Sequence, residues 1–317
     1  MKRKFMMISP LVLSGFFLGM LNTSCGGDPA SDTDTDTTKK DTTTTVEAPI
    51  VMPEPGMTPW DFPTVGMTSE PGNYVLIPSY SMYQSIFEEE VPADQTLIYY
   101  EAKMSAAGDI ESDIEFTFDG VQKMPNSLII SIPKGQSAKV GDIVLTWWQT
   151  GSGMQRAIVT DAKDPLSPKV RYLDLDYDNP AMDDESGKSI GATEYQLKPD
   201  SFVKISSDWQ EGNYIAVKSD WGWENAQVVK VAGDKVLTIG FAGKMKVYNT
   251  ADCKVIPMVP AVKAGDVVWA VTSISFSEAT VVSVDKKMGV VVVKANDTEY
   301  PVSYGEITTE VLATEEI

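Results

Sequence analysis

Histidine is missing from all 317 residues, and cysteine occurs only twice, at Cys25 and Cys253. Without imidazole there is no Ser-His-Asp or Cys-His nucleophile system, no histidine zinc ligand and no imidazole acid–base pair. Phosphate-binding glycine loops are absent too. Helical periodicity is scarce, the one candidate being "YSMYQSIFEEE" at 80–90. Basic residues are few, 26 against 45 acidic, for a net charge of −19. Such a surface repels nucleic-acid phosphates and anionic lipid headgroups, so neither is an expected partner. Cationic ligands and divalent metals fit the charge better.

What is present begins with a leader. "MKRKFMMISPLVLSGFFLGMLNTSC" carries Lys2, Arg3 and Lys4 ahead of an apolar run that Pro10 interrupts and that is short for a membrane span, and it closes on the small residues Thr23 and Ser24. Its end resembles the lipobox of bacterial lipoproteins, with Leu21 one place further from the cysteine than is usual. The resemblance implies a signal peptide over 1–24 and lipidation of Cys25, which becomes the new N-terminus; the alternative is ordinary secretion with cleavage nearby. Gly26 follows Cys25 where an inner-membrane retention aspartate would stand, which favours the outer membrane. Removing the leader leaves 23 basic and 45 acidic residues, a net charge of −22. With Cys25 lipidated, Cys253 is the only thiol, so no intramolecular disulfide forms. In "ADCKVIP" it reads as a small buried residue.

From Cys25 to about residue 66 the chain is rich in Asp, Thr, Pro and Gly and almost devoid of apolar side chains before Val46. It cannot bury enough surface to offset its chain entropy, which predicts a disordered tether.

Beyond it one opening recurs: "EPGNYVLIP", "KVGDIVLTW", "EGNYIAVKS" and "KAGDVVWAV". Aligned on Gly72, Gly141, Gly212 and Gly265, the gaps are 69, 71 and 53 residues. Gly with Asn or Asp makes a tight turn, and the alternating apolar residues that follow read as half-buried strand. A second strand carries a small residue at Ser85, Ala157, Ala226 or Ala279, which are 13, 16, 14 and 14 places after the glycine. Small residues there let backbones approach where a bent sheet closes on itself. A third strand follows in the clearer repeats ("KVRYLDLDY", "KVLTIGF" and "GVVVVKA"). The fold class expected is all-β: tandem small five-stranded barrels, in which closure removes exposed edges.

"VGDIVLTWW" and "AGDVVWAV", with the strands after them, resemble the opening of Tudor and Agenet-type domains, which are SH3-like barrels. The resemblance covers about 138–310 well and 70–135 weakly. It implies barrels over 67–137, 138–207, 208–260 and 261–317, the first the most diverged. It also implies that aromatics after the first strands form cages that bind a cation on their ring faces, at about 0.5–2 kcal/mol per contact. Trp147, Trp148 and Tyr172 hold those places in the second repeat, and Trp221, Trp223 and Phe241 in the third, with Asp220 supplying charge. Trp269 and Phe276 correspond in the fourth. The alternative reading is that these rings cap the barrels or pack between them. Period 2 sends Trp147 and Trp148 to opposite sides, and Trp221 and Trp223 to the same side.

In "LDLDYDNPAMDDE", Asp174, Asp176, Asp178 and Glu185 take places 1, 3, 5 and 12 of an EF-hand-like loop. Asn179 stands where glycine is needed, Pro180 follows and no helices flank it, so a solvated acidic hairpin loop is the main expectation and a weak metal site the lesser one. No cofactor is expected. The functional expectation is a lipid-anchored, non-enzymatic envelope protein that presents barrels for binding or assembly, with a basic protein or peptide as ligand. The rivals are a carboxylate-only hydrolase of envelope glycans and a structural spacer.

Overall fold

A computed structural model describes residues 54–87, 96–174, 182–183, 189–190, 192–220, 222–310 and 312, all within one compact unit, Pro49–Ile317. The fold is all-β. Four antiparallel five-stranded sheets follow one another along the chain, each with strand order fourth–third–second–first–fifth. The first repeat contains β1 (Tyr74–Pro78), β2 (Tyr99–Ala106), β3 (Glu111–Phe116), β4 (Gly120–Pro125) and β5 (Ile130–Ile132). The second has β6 (Ile143–Trp147), β7 (Met154–Asp161), β8 (Lys169–Tyr172), β11 (Glu194–Gln196) and β12 (Val203–Lys204), with a small hairpin, β9 (Met182–Asp183) and β10 (Ser189–Ile190), in the acidic loop. The third comprises β13 (Tyr214–Ser219), β14 (Gly222–Ala232), β15 (Lys235–Ile239), β16 (Met245–Asn249) and β17 (Lys254–Val255). The fourth comprises β18 (Val267–Val271), β19 (Phe276–Asp285), β20 (Val290–Ala295), β21 (Thr298–Ser303) and β22 (Ile307–Thr308). Each sheet is barrel-like but open, because its fourth and fifth strands do not pair.

The repeated turn explains the repeated sequence. Gly72, Gly141, Gly212 and Gly265 have φ of 78°, 89°, 88° and 89°, a region open to glycine at no steric cost. Each glycine N–H donates to the second strand, at the carbonyls of Met104, Val159, Val228 and Val281, 2.7–2.9 Å away. The N–H groups of those four residues donate back to Asn73, Asp142, Asn213 and Asp266. A β-bulge follows at once in every repeat, between Met104 and Ala106, Val159 and Asp161, Val228 and Lys230, and Val281 and Ser283. Such a bulge bends the strand and increases its twist, so one strand serves both sides of a small barrel.

Ala157, Ala226 and Ala279 sit opposite Val144, Ile215 and Val268 and are buried. The equivalent in the first repeat is Ala102, opposite Val75, and not Ser85. Residues 79–98 are inserted between β1 and β2 and hold a short helix, α1 (Tyr80–Ser85). Ser79 caps it by accepting from the Met82 N–H, and Tyr83 and Ile86 turn one face into the core. Helical spacing in "YSMYQSI" therefore prevails over the strand assignment that the repeat suggested.

The repeats are not beads on a string. The Gly153 N–H donates to the Tyr99 carbonyl, and the Glu101 N–H to Gly151, joining the first and second repeats. The Leu97 N–H donates to Gly243 of the third. At the meeting of repeats two, three and four, Arg156 on β7 is fully buried. Its guanidinium reaches Asp174 at 2.7 Å, donates to the Tyr304 carbonyl at 2.6 Å and lies 4.3 Å from the centre of the Tyr214 ring. Burial lowers the pKa of the guanidinium, but the Asp174 carboxylate and its neighbours more than offset this and it stays charged. Gly305 has no side chain to exclude it; a Cβ there would overlap the guanidinium.

The segment expected to be tether up to residue 66 packs from Trp60 onward. Trp60 is 7% exposed and belongs to the core, with Phe62 and Met67 packed against it. The Asn126 side-chain amide donates to the Val65 carbonyl, and Lys235 pairs with Asp61 at 2.6 Å. Cys25 and the lipobox lie outside the described residues. Cys253 is buried as expected, and desolvation, with Asp252 adding to it, pushes its thiol up to about 11.

Candidate functional site

The cage residues are not gathered into a cage. Every residue of β6 is buried, because its own barrel covers one face and the first and third repeats the other. Trp147 is 7% exposed and its ring packs 5.1 Å from Tyr74 of the first repeat. Trp148 points the opposite way, as period 2 requires, and lies half-buried 5.1 Å from Tyr172. Tyr172 is fully buried, with its hydroxyl donating to the Trp147 carbonyl. Trp147 and Tyr172 are thus interior packing, which corrects their assignment as ligand contacts. Trp223 is half-buried at the border of repeats three and four, in an apolar cluster with Trp269 and the buried Phe276. Its indole N–H is buried without a hydrogen-bond partner. Trp221 lies outside the described residues.

Of the four expected metal ligands the structure describes only Asp174, and it is already engaged. Both Asp174 carboxylate oxygens serve Arg156, one accepting from its backbone N–H and the other from its guanidinium, at 2.7–3.2 Å. Asp176, Asp178 and Glu185 lie outside the described residues. Among the described residues no three Cys, Asp or Glu side chains are grouped to hold a metal.

Phe241 and Asp220 belong to a different site. Phe241 is 65% exposed and stands on the turn between β15 and β16, rather than on a strand. Ala242 beside it has φ 57°, unusual for a residue with a side chain, and Gly243 has φ 73°. The turn is held by Gly240 N–H to Lys244 carbonyl, and by Leu97 N–H to Gly243 carbonyl from the first repeat. A Cβ on Gly243 would lie 2.5 Å from the Leu97 carbonyl oxygen, so glycine lets the turn dock and aim Phe241 outward.

Two clefts meet at Phe241. The first, about 400 Å³, lies where all four repeats converge: Ile98 and Tyr99 come from the first, Met154 from the second, Glu224 and Gln227 from the third, Ile274 and Glu306 from the fourth. The second, about 660 Å³, runs over the third repeat past Asp220, Lys246 and Tyr248 to Trp60. Glu224, Asn225, Gly240, Phe241 and Ile274 line both, so the two form one groove. Ile98, Phe241 and Ile274 are 37%, 65% and 51% exposed, which places three large apolar side chains from three repeats along one depression. Glu224 accepts from the Ser219 hydroxyl at 2.5 Å, and Glu306 from the Ser303 N–H at 2.7 Å. Buried Tyr99 has no partner for its hydroxyl.

Sequence reasoning found two members of this site, Phe241 and Asp220, by way of a cage they do not form. It missed Ile98, Ile274, Glu224 and Glu306. Those residues meet only through the packing of separate repeats, for which local pattern carries no signal. No protein-family model matches this sequence, and no curated protein is similar to it.

Proposed function

We propose that this is a non-enzymatic binding module of the bacterial cell envelope, anchored by lipid on Cys25 and presenting the Phe241 groove as its ligand surface. The observation that supports this most is the convergence of exposed Ile98, Phe241 and Ile274 in one groove. Concave, mostly apolar sites with a few placed polar groups are the usual form of binding sites, and clustered exposed apolar groups are costly unless something covers them. The Tudor-like character of the barrels belongs to the same proposal and rests on the repeated turn, bulge and small residue.

One comparison tests anchor and groove together. Wild-type protein should sediment with membranes, and carbene footprinting there should find Phe241 and Ile274 shielded relative to the purified protein. Cys25→Ala should be released to the soluble fraction, since the acyl chains carry its membrane affinity. Equal labelling of the groove in membranes and in purified protein would count against the ligand surface. A Cys25→Ala protein that stays with membranes would count against the anchor.

A second reading has one observation in its favour: Glu224 and Glu306 line the same cleft. Paired carboxylates are the minimum for glycoside hydrolysis. Release of reducing sugar from envelope glycans, lost in Glu224→Gln, would establish it.

A further inference from the structure

We infer that the groove takes an extended basic peptide, with a lysine or arginine side chain entering the cleft where the four repeats meet and apolar neighbours lying against Ile98, Phe241 and Ile274. This rests on the groove being the ligand surface and adds the chemical class of the occupant. Glu224 and Glu306 line this cleft, and among the described residues no lysine or arginine does. Arg156 acts electrostatically on Glu306 from beneath, whereas Glu224 stands at the centre of the groove, shared by both of its halves. The Ser219 hydroxyl fixes the Glu224 carboxylate. A basic side chain suits the walls as well as the acid, because its methylene stem covers apolar surface while its charged head seeks an anion. The ring of Phe241, 65% exposed on its turn, can be reached by a cation.

The groove is long rather than round. Its two halves run from Ile98 past Phe241 to Tyr248 and Trp60, which suits an extended chain more than a compact small molecule. Beyond Phe241 the lining includes Lys244 and Lys246 as well as Asp220, so the acidic end, where the basic side chain enters, lies where the repeats meet. The net charge, −19 for the full chain and −22 without the leader, draws cationic chains from a distance and disfavours acidic ones. Phe241 and Asp220 apart, this site uses none of the cage positions of the individual barrels, and every repeat contributes a wall.

The test uses the full mature protein and three acetylated, amidated heptapeptides in which leucine alternates with lysine, serine or glutamate. Each carries a photoreactive benzophenone at its centre. The lysine peptide should bind saturably and cross-link near 97–99, 224–241 and 271–274. Glu224→Gln keeps an acceptor for Ser219 and should weaken binding about tenfold, as should Phe241→Ala. Asp119→Asn, an exposed carboxylate at a distant hairpin, should change it less than about twofold. Added salt should weaken the lysine peptide as screening shortens the field's reach. Thermal unfolding of each variant separates lost binding from lost structure. If the serine or glutamate peptide cross-links to the groove in preference, the basic class is overturned while the groove remains a ligand surface. If the lysine peptide binds wild type and Glu224→Gln alike, the attraction is diffuse charge and the inference is overturned. If no peptide cross-links to the groove, the inference and the reading beneath it both fall.

Discussion

At Arg156 a single side chain decides how three repeats meet. In "QRAIV" the arginine alternates with apolar residues, a pattern in which a charged group normally faces water. Here its exposure is nil, because Tyr214 of the third repeat and Tyr304 of the fourth cover it. Isolated burial of such an ion is costly, and the compensation is local: one carboxylate oxygen that accepts from both Nε and Nη2, a backbone acceptor and a ring face, with Nη1 left without a hydrogen-bond partner. Arg156→Met would leave Asp174 an anion only 11% exposed without its cation. Unfolding in guanidinium chloride should show a loss of about 3–5 kcal/mol, as for other broken buried pairs. A loss below about 1 kcal/mol would mean that Asp174 finds water easily and that the junction is loose. The sequence pointed to Asp174 for another purpose, calcium, because spacing alone cannot distinguish a metal ligand from the partner of a buried arginine.

At the scale of the element, the Gly-Asn or Gly-Asp turn was legible because its cause is local. Positive φ, a returning hydrogen bond and a following bulge recur in all four repeats. The expected strands were therefore found in place in repeats two to four. The first repeat misled because its small residue was sought at a fixed offset, and an inserted helix moves it from Ser85 to Ala102. The turns are alike in conformation but not in surroundings, and this makes a prediction. A Cβ on Gly265 meets nothing within 4 Å, whereas one on Gly212 would lie 2.6 Å from Leu145 of the second repeat. Gly265→Ala should therefore cost about 1–2 kcal/mol from backbone strain alone. Gly212→Ala should cost at least about 1 kcal/mol more, because Leu145 must also shift. Chemical denaturation of the two variants side by side reads the difference. Equal losses would place repeats two and three further apart than the structure does.

At the scale of the whole molecule the four barrel-like sheets share a core, and the reason is the surface each one offers. The first strands are apolar on both faces, as in "YVLIP" and "IVLTWW", so a barrel that buries one face still needs a cover for the other. Neighbouring repeats supply that cover: β6 is buried throughout, and one core cluster draws on all four repeats and on Trp60. Packing between repeats, one of the two readings open for the aromatic positions, buries Trp147 and leaves Trp148, Trp223 and Trp269 half-buried. Independent barrels of 50–70 residues would unfold in several steps, each at its own marginal stability. A shared core couples them. The fragment 54–317 should unfold in guanidinium chloride as one transition, with tryptophan fluorescence and far-UV circular dichroism coincident. Fragment 67–317 lacks Trp60 and the Asp61–Lys235 pair and should unfold at lower denaturant, by about 3–5 kcal/mol, as for the loss of a large core aromatic. Two resolved transitions in the longer fragment would mean that the repeats fold separately. The groove would then lie between bodies free to move, and a ligand that needs walls from all four would have to hold them together itself.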